Sequence, residues 1–114
     1  MIDFACKEFD LDDIVKCGLG LTRAEFQVMG FLIKDGQEMS AAEVAGKTGL
    51  DLTTIQKAVK KLAEKGIVSR SQKNLGGGGY LFLYQAKPRP AVRQVLKDII
   101  RRWSRAVEDR IDEW

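Results

Sequence analysis

The side chains best suited to chemistry in this sequence are hydrogen-bond donors clustered in one short segment. Hydroxyl, amide and ammonium groups recur there between apolar residues, at Thr53, Thr54, Gln56, Lys57, Lys60 and Lys61. Glutamine pairs through two hydrogen bonds with the edge of adenine, and lysine donates to guanine. Threonine hydroxyls and further lysines suit contacts to phosphates or bases. The segment therefore predicts a surface that binds a nucleic acid.

Basic residues are concentrated around this segment. Residues 52–95 contain nine Lys or Arg and one acidic residue, Glu64, a net charge of +8 within a chain whose total is +3. Residues 1–51 carry a net charge of −5, and residues 96–114 are balanced. The middle block predicts a footprint for a polyanion, although lysines on a helix surface are often simply solvated.

Four consecutive glycines, Gly76–Gly79, raise the question of a phosphate site. Phosphate-binding glycine loops lead into a helix N-terminus, but this one leads into the strand-forming residues 80–84 and lacks the nucleotide-binding motifs. A nucleotide site is therefore not expected. Two alternatives stay open: a hairpin tip without a role, or a tip that follows a nucleic-acid backbone together with Arg70 and Lys73 on its strands.

The composition argues against an enzyme and against a metal site. The 114 residues include no histidine and two cysteines, Cys6 and Cys17, so a catalytic imidazole is absent and a four-ligand zinc site cannot be closed. No cofactor is expected. The cysteines are predicted to be partly buried free thiols, with a redox switch between protomers as the alternative. No apolar run approaches the ~18 residues of a membrane span, and a cytoplasmic protein is expected.

Caps, apolar spacing and terminal glycines predict the elements that position these residues. Four helices are expected at 10–17 (ended by Gly18), 22–35, 41–48 and 53–65. A very short strand at 37–39 and a β-hairpin of strands 67–73 and 80–84 are also expected. Two prolines then break the chain, and one helix of ~23 residues follows from about Arg89 to the end.

The sequence AGKTGLDLTTIQK, residues 45–57, predicts a helix-turn-helix. Ala45 allows a close helix crossing, Gly49 suits a left-handed turn residue, Leu50 fills the core and Ile55 packs the second helix on the first. In a helix-turn-helix that binds DNA, the second helix enters the major groove. Helix pairs that never contact DNA share this spacing.

The sequence from GLTRAEFQVMGFL to EKGIVSRS resembles the winged-helix regulators of the TrmB and MarR type. GLDLTTIQKAV is similar to their turn and recognition helix, and KKLAEKGIVSR to the junction of that helix with the wing. The resemblance covers about residues 19–84 and implies a DNA-binding transcription regulator, usually a dimer. The chain departs from the TrmB pattern in having no ligand-binding domain after the winged helix, and the sequence does not identify a small-molecule effector.

The C-terminal helix carries an apolar stripe longer than its own domain requires. Its first part, 92–100, could fold back on the core, whereas 103–114 requires a second chain. The MarR pattern places dimerisation helices on both sides of the core, but here the N-terminal flank is small. The predicted dimerisation residues are therefore Leu96, Ile99, Ile100, Trp103, Val107, Ile111 and Trp114.

Together these patterns predict a mainly α fold with a small β-hairpin wing. Residues 1–87 are expected to form a winged helix-turn-helix domain with a short N-terminal helical flank, and residues 88–114 a dimerisation helix. The predicted function is a homodimeric repressor that contacts the major groove with helix 53–65 and the backbone or minor groove with wing 67–84. Lys87 and Arg89 are predicted to add phosphate contacts. The alternative is a winged helix that contacts only other proteins.

Overall fold

The computed structural model describes residues 1–114 and contains five helices and two small antiparallel sheets. In chain order the elements are β1 (Ile2–Phe4), β2 (Lys7–Phe9), α1 (Leu11–Leu19), α2 (Arg23–Asp35), β3 (Met39–Ser40), α3 (Ala41–Thr48), α4 (Leu52–Glu64), β4 (Val68–Asn74), β5 (Tyr80–Ala86) and α5 (Arg89–Asp112). This architecture confirms the predicted fold class of a mainly helical protein with a β wing. No helix combines the length and the apolar character needed to cross a membrane.

The helix starts follow from the capping residues in the sequence. Thr22 begins α2 with a complete capping box, in which its hydroxyl accepts from the Glu25 N–H at 3.2 Å and the Glu25 carboxylate accepts from the Thr22 N–H at 2.8 Å. Ser40 and Glu43 repeat this arrangement at the start of α3. Each box satisfies N–H groups that the first helical turn leaves without partners.

The core lies between α2, α3, α4 and the base of the wing. α4 buries Ile55, Ala58, Val59 and Leu62 at helical spacing. These residues join a single cluster whose other members are Leu19, Leu21, Val28, Met29, Leu32, Met39, Val44, Ile67, Val68 and Val92. The helix pair α3–α4 is thereby fixed against the rest of the domain.

The wing is part of a three-stranded sheet in the order β3-β5-β4. β4 and β5 are antiparallel and pair from Val68 opposite Ala86 to Asn74 opposite Tyr80. The short strand β3 pairs with the core end of β5, where Met39 lies opposite Tyr84. The core end of the wing is therefore anchored, whereas every residue from 69 to 81 is exposed.

The long helix α5 has two environments. In its first half Val92 is buried, and Val95, Leu96 and Ile99 pack against the core cluster. Its second half extends away from the core, and the molecule measures 63 × 25 × 24 Å. Of the predicted dimerisation residues, Leu96 and Ile99 thus contact their own chain, whereas Ile100, Trp103, Val107, Ile111 and Trp114 are exposed.

The N-terminal region differs from the sequence prediction. Residues 2–9 form a β-hairpin that the sequence did not predict. Gly18 does not end α1; it lies within the helix, where an added Cβ would be only 3.2 Å from Ile99 Cγ2, and Gly20 in the left-handed conformation is the cap. A glycine at position 18 thus serves the close approach of α1 and α5.

Both cysteines are exposed, so the prediction of partly buried thiols is wrong. Cys6 lies in the two-residue turn between β1 and β2, and Cys17 lies on the outer surface of α1. Neither cysteine side chain therefore contributes to the hydrophobic core.

Candidate nucleic-acid interface

The turn between α3 and α4 sets the geometry of the helix pair. Gly49 caps α3 in the left-handed conformation, with φ of 77°, and its N–H donates to the Ala45 carbonyl at 3.0 Å. The Thr48 hydroxyl donates to the Val44 carbonyl at 2.8 Å, and Leu50 packs half-buried against the core. These contacts match the predicted roles of Gly49 and Leu50 in a helix-turn-helix, and Ala45 packs partly buried against the core.

α4 presents a polar stripe opposite its buried one. Thr53, Gln56, Lys57 and Lys60 are exposed, and their spacing of three, one and three residues places them on one face of the helix. We call these four residues the α4 stripe. Thr54 lies beside it and is half-buried. The stripe brings an amide, a hydroxyl and two ammonium groups to one surface, where they are free to bind a ligand.

Asp51 fixes the start of α4, one residue earlier than predicted. Its carboxylate accepts from the Thr54 N–H at 3.3 Å and caps the helix, so that Leu52 is the first helical residue. Hydrogen bonds from Thr54 and the positive charge of Lys57 hold the pKa of Asp51 below its ordinary value of 3.8. Asp51 is therefore ionised at neutral pH and orients the first turn of the helix.

Lys61 has a structural role that the sequence did not reveal. Its ammonium donates to the carbonyl of Gly20 and to the carboxylate of Glu25, at 3.2 Å from the latter. Desolvation opposes ionisation of Glu25, but hydrogen bonds from Thr22 and Lys61 outweigh it and hold the pKa of Glu25 below its ordinary value of 4.5. Lys61 thus connects α4 to the start of α2, which removes it from the set of free phosphate ligands.

The two predicted basic residues of the wing lie on opposite faces. Arg70 lies opposite Tyr84 and Lys73 lies opposite Leu81, and side chains alternate between the faces of a strand. On the face with Arg70, its guanidinium stacks on the Phe82 ring at 4.4 Å, and Phe82 in turn contacts Tyr80 edge to face at 5.1 Å. The Arg70 charge is therefore held in place by an aromatic neighbour.

The glycine-rich tip is a defined turn. The Leu75 N–H donates to the Gly79 carbonyl at 3.1 Å, and the Gly78 N–H donates to the Leu75 carbonyl at 3.2 Å. Gly78 and Gly79 have φ of 95° and 83°, a conformation that other residues adopt at a cost. The tip leads into β5 and not into a helix, as predicted, so it lacks the helix N-terminus that a phosphate-binding loop uses.

Lys87 and Arg89 lie at the base of the wing. Lys87 is half-buried next to Gly66, and its N–H donates to the Ile67 carbonyl at 2.9 Å. Arg89 is exposed in the first turn of α5. Arg89 can therefore contact a ligand that spans the wing, whereas the half-buried side chain of Lys87 is less accessible to such a ligand.

Leu52 is a candidate that the sequence analysis did not single out. It is 45% exposed in the first turn of α4, next to the α4 stripe. The spacing of Leu52 from the buried residues Ile55 and Val59 assigns it to the apolar stripe of α4. The exposure of its side chain is therefore visible only in the structure. An exposed apolar side chain here suits the methyl group of thymine.

Comparison with known proteins identifies relatives over most of the chain. The family model for the MarR family matches residues 19–74. An uncharacterized protein of Methanocaldococcus jannaschii, MJ1082, is 32% identical over 102 residues, which is 90% of this chain and 83% of that protein.

Solved structures with this fold include one that is similar over its whole length. A protein described as a possible transcriptional regulator from Methanosarcina mazei Go1 superposes with a TM-score of 0.93 and 38% identity, covering 100% of this chain and 96% of that one. S. aureus MepR, in a mutant form bound to an oligodeoxyribonucleotide, has a TM-score of 0.56 and 10% identity over 91% of this chain and 73% of its own. The latter likeness concerns the fold alone.

Proposed function

This chain belongs to the MarR family of winged-helix transcription regulators, and we propose that it is a homodimeric repressor that recognises specific sites in double-stranded DNA. Regulators of this family are DNA-binding proteins without enzymatic activity, in agreement with the prediction that the chain is not an enzyme. The proposed location is the cytoplasm, as the sequence predicts.

The α4 stripe is the observation that carries this proposal. Its members are exposed on α4, the second helix of the helix-turn-helix, and the opposite face of α4 is anchored in the core. Gln56 would pair with adenine, Lys57 and Lys60 with guanine or phosphate, and Thr53 with the backbone at the helix start. Rigid attachment matters because base recognition needs these donors in fixed positions.

The wing would contact the DNA beside the major groove. Arg70 is held by Phe82 and carries a delocalised charge suited to a phosphate or to the minor groove. Because Lys73 points to the opposite face, we propose that only one of the two reaches the same DNA strand as α4. Arg89 would extend the contact at the wing base.

A two-fold dimer would bring two α4 stripes to one duplex. The exposed second half of α5 supplies an apolar surface for this pairing, and the two recognition helices would then lie ~34 Å apart, one turn of DNA. Such a protein would bind an inverted repeat. Occupying a promoter in this way blocks transcription by itself, and for that reason we propose repression.

A second candidate function is contact with another protein through the wing. The wing exposes three large apolar side chains: Tyr80 is 58%, Leu81 38% and Leu75 47% exposed. Exposed apolar surface of this kind suits contact with another protein. This alternative predicts that the protein binds no DNA, even at low salt.

Selection of bound duplexes from a random DNA pool tests the proposal. We expect enrichment of an inverted repeat with half-sites ~10 base pairs apart. Fluorescence anisotropy with the enriched duplex should show affinity falling by ~10³–10⁵ between about 50 and 200 mM salt, as expected for 6–10 phosphate contacts. Absence of enrichment together with absence of binding at 50 mM would favour the protein-contact alternative.

A further inference from the structure

One face of the wing carries a row of aromatic and polar side chains that extends beyond the core. Residues directly opposite each other on two antiparallel strands project to the same face of the sheet. On β4 and β5 these pairs are Arg70 with Tyr84, Gln72 with Phe82 and Asn74 with Tyr80. We call these six residues the aromatic face. The other face of the wing contains no aromatic ring; it carries Ser69, Ser71, Lys73, Leu81, Leu83 and Gln85.

Phe82 positions the two outer planar groups of the aromatic face. The guanidinium of Arg70 lies over the Phe82 ring at 4.4 Å, and the Tyr80 ring meets it edge to face with 5.1 Å between centroids. Phe82 is half-buried, whereas Arg70 is exposed and Tyr80 is 58% exposed. The wing therefore presents two planar groups to solvent, a phenol ring and a guanidinium.

The glycine-rich tip leaves the Tyr80 ring uncovered. Gly76–Gly79 directly precede Tyr80 and have no side chains, and an added Cβ at any of these glycines would meet no atom within 4 Å. A ligand can therefore reach the ring from the tip of the wing without displacing a side chain.

The charge around the aromatic face is positive. Residues 65–97 contain seven Lys or Arg and no acidic residue. The carboxylate of Glu38 accepts from the Ser71 hydroxyl at 3.1 Å, on the other face of the wing. None of the ion pairs of the molecule includes Arg70. A ligand that suits this face therefore combines negative charge with flat apolar groups.

Flat apolar groups joined by negative charges are the chemistry of a nucleic-acid strand. Bases stack on aromatic rings and on the guanidinium plane of arginine, and any base can do so because every base has a π-face. In a duplex, the grooves expose only the edges of the bases. Stacking on the aromatic face therefore requires bases that are unpaired.

The two amides of the aromatic face suit the edges of such bases. Gln72 lies opposite Phe82 and Asn74 lies opposite Tyr80, and both are exposed. An amide side chain both donates and accepts hydrogen bonds. The Watson–Crick edge of an unpaired base is open to both kinds of bond. The amides therefore add hydrogen bonds beside the stacking groups.

We propose that the aromatic face binds unpaired bases of a DNA strand. Tyr80 and Arg70 each stack with a base, and Gln72 and Asn74 bond to base edges. The inference rests on the proposed function in that α4 brings the wing to DNA. It adds a second form of the ligand, a strand that is opened beside the duplex site.

Anisotropy with single strands tests the proposal. The ligands are an oligonucleotide of about 12 thymidines and an abasic oligonucleotide of the same length. Both carry the same phosphates, so only the bases distinguish them. At about 50 mM salt we expect the wild type to bind the thymidine strand at least ~10-fold more tightly. Equal affinities would overturn the proposal and leave the exposed rings to a protein partner.

Two conservative variants separate stacking from charge and from apolar contact. Tyr80→Leu keeps an apolar side chain and Arg70→Lys keeps the positive charge, but each removes one planar group. Both positions are exposed, so neither replacement disturbs the core. Each variant should lower the preference for the thymidine strand about 5-fold or more.

Leu81→Ala is the matched control, since Leu81 is the next residue, is exposed and lies on the other face of the wing. It should keep the preference of the wild type. An undiminished preference in Tyr80→Leu, or an equal loss in Leu81→Ala, would contradict stacking on the aromatic face.

Photo-crosslinking identifies the contact directly. Iodouracil in the middle of the thymidine strand forms a bond, on irradiation, to an aromatic ring on which it stacks. We expect mass spectrometry of the digested protein to find the crosslink at Tyr80 or Phe82. Crosslinks confined to residues outside the wing would contradict the proposal. Tighter binding of a uridine strand of the same length would contradict DNA as the ligand.

Anisotropy with the selected duplex, measured on the wild type, separates this inference from the proposed function. Duplex binding without a preference for the thymidine strand over the abasic strand would refute stacking on the wing and leave duplex recognition intact. A preference for the thymidine strand without duplex binding would refute duplex recognition and leave the aromatic face intact.

Discussion

At the residue scale, neighbouring lysines on α4 have different tasks. Lys60 is exposed on the α4 stripe, whereas Lys61 is 33% exposed and bonded to Glu25 and Gly20. Their adjacency in the sequence conceals this difference, because consecutive residues on a helix point about 100° apart. The sequence placed both among the DNA contacts, and only the structure separates them.

Replacing each of these lysines by alanine tests the division. Lys61→Ala should lower the free energy of unfolding by about 1 kcal/mol, because Glu25 loses its charged partner. Lys60→Ala should leave stability unchanged and reduce the salt slope of DNA binding by ~1 per protomer. Urea denaturation and anisotropy measure the two effects. The reverse pattern would show that Lys61 is the DNA contact.

The Glu25 carboxylate predicts a dependence of stability on pH. Its pKa is lowered in the folded state, so its contribution is present above the ordinary value of 4.5 and is lost as the pH falls through the folded pKa. Glu25→Gln should therefore flatten the decline of the melting temperature below pH 4.5. Glu64→Gln, an exposed change on α4, is the control. Equal acid sensitivity in Glu25→Gln and wild type would contradict the assignment.

At the element scale, the turn of the helix-turn-helix depends on one left-handed residue. Gly49 has φ of 77° with no atom within 4 Å of an added Cβ, so Gly49→Ala introduces backbone strain without a clash. We expect a loss of about 1–2 kcal/mol of stability. Gly46→Ala, at an open helical position of α3, should instead stabilise by about 0.5–1 kcal/mol. Equal effects in thermal unfolding would show that the turn conformation is not the cause.

The same scale shows how far the sequence predicts the fold. The capping boxes at Thr22 and Ser40 and the glycine at 49 define α2, α3 and the turn, because local hydrogen bonds determine them. The hairpin β1–β2 was missed because a pairing of two three-residue strands leaves no local signal in the sequence beyond its alternation. The role of Gly18 was predicted wrongly because the sequence cannot distinguish a glycine that ends a helix from one inside it. The close contact with Ile99, which is distant in sequence, shows that Gly18 lies inside α1.

The sequence also predicts only part of the candidate interface, because local patterns reveal some of its residues and tertiary contacts determine the others. The periodicity of α4 located Thr53, Gln56, Lys57 and Lys60 on an exposed face, as the structure has them. Tertiary contacts decided the rest. The bond from Lys61 to Glu25, the burial of the Lys87 region and the opposite orientations of the basic residues on the wing depend on chain segments distant in sequence.

At the scale of the whole molecule, charge and apolar surface are separated. The basic block lies in α4, the wing and the first turns of α5, and the uncovered apolar surface lies in the hairpin β1–β2 and the second half of α5. This separation suits a dimer that presents two basic surfaces to one duplex. Its consequence is that DNA binding and dimerisation should respond to different substitutions.

The most direct test of the account compares two double variants in anisotropy with the selected duplex at constant salt. Lys57→Glu/Lys60→Glu should weaken binding at least ~100-fold while the dimer persists. Lys34→Glu/Lys97→Glu changes the net charge equally at exposed positions outside the α4 stripe and should weaken it less than ~5-fold, because screening limits the effect of distant charges. Equal losses in both variants, or undiminished binding by the first, would contradict recognition of DNA by α4.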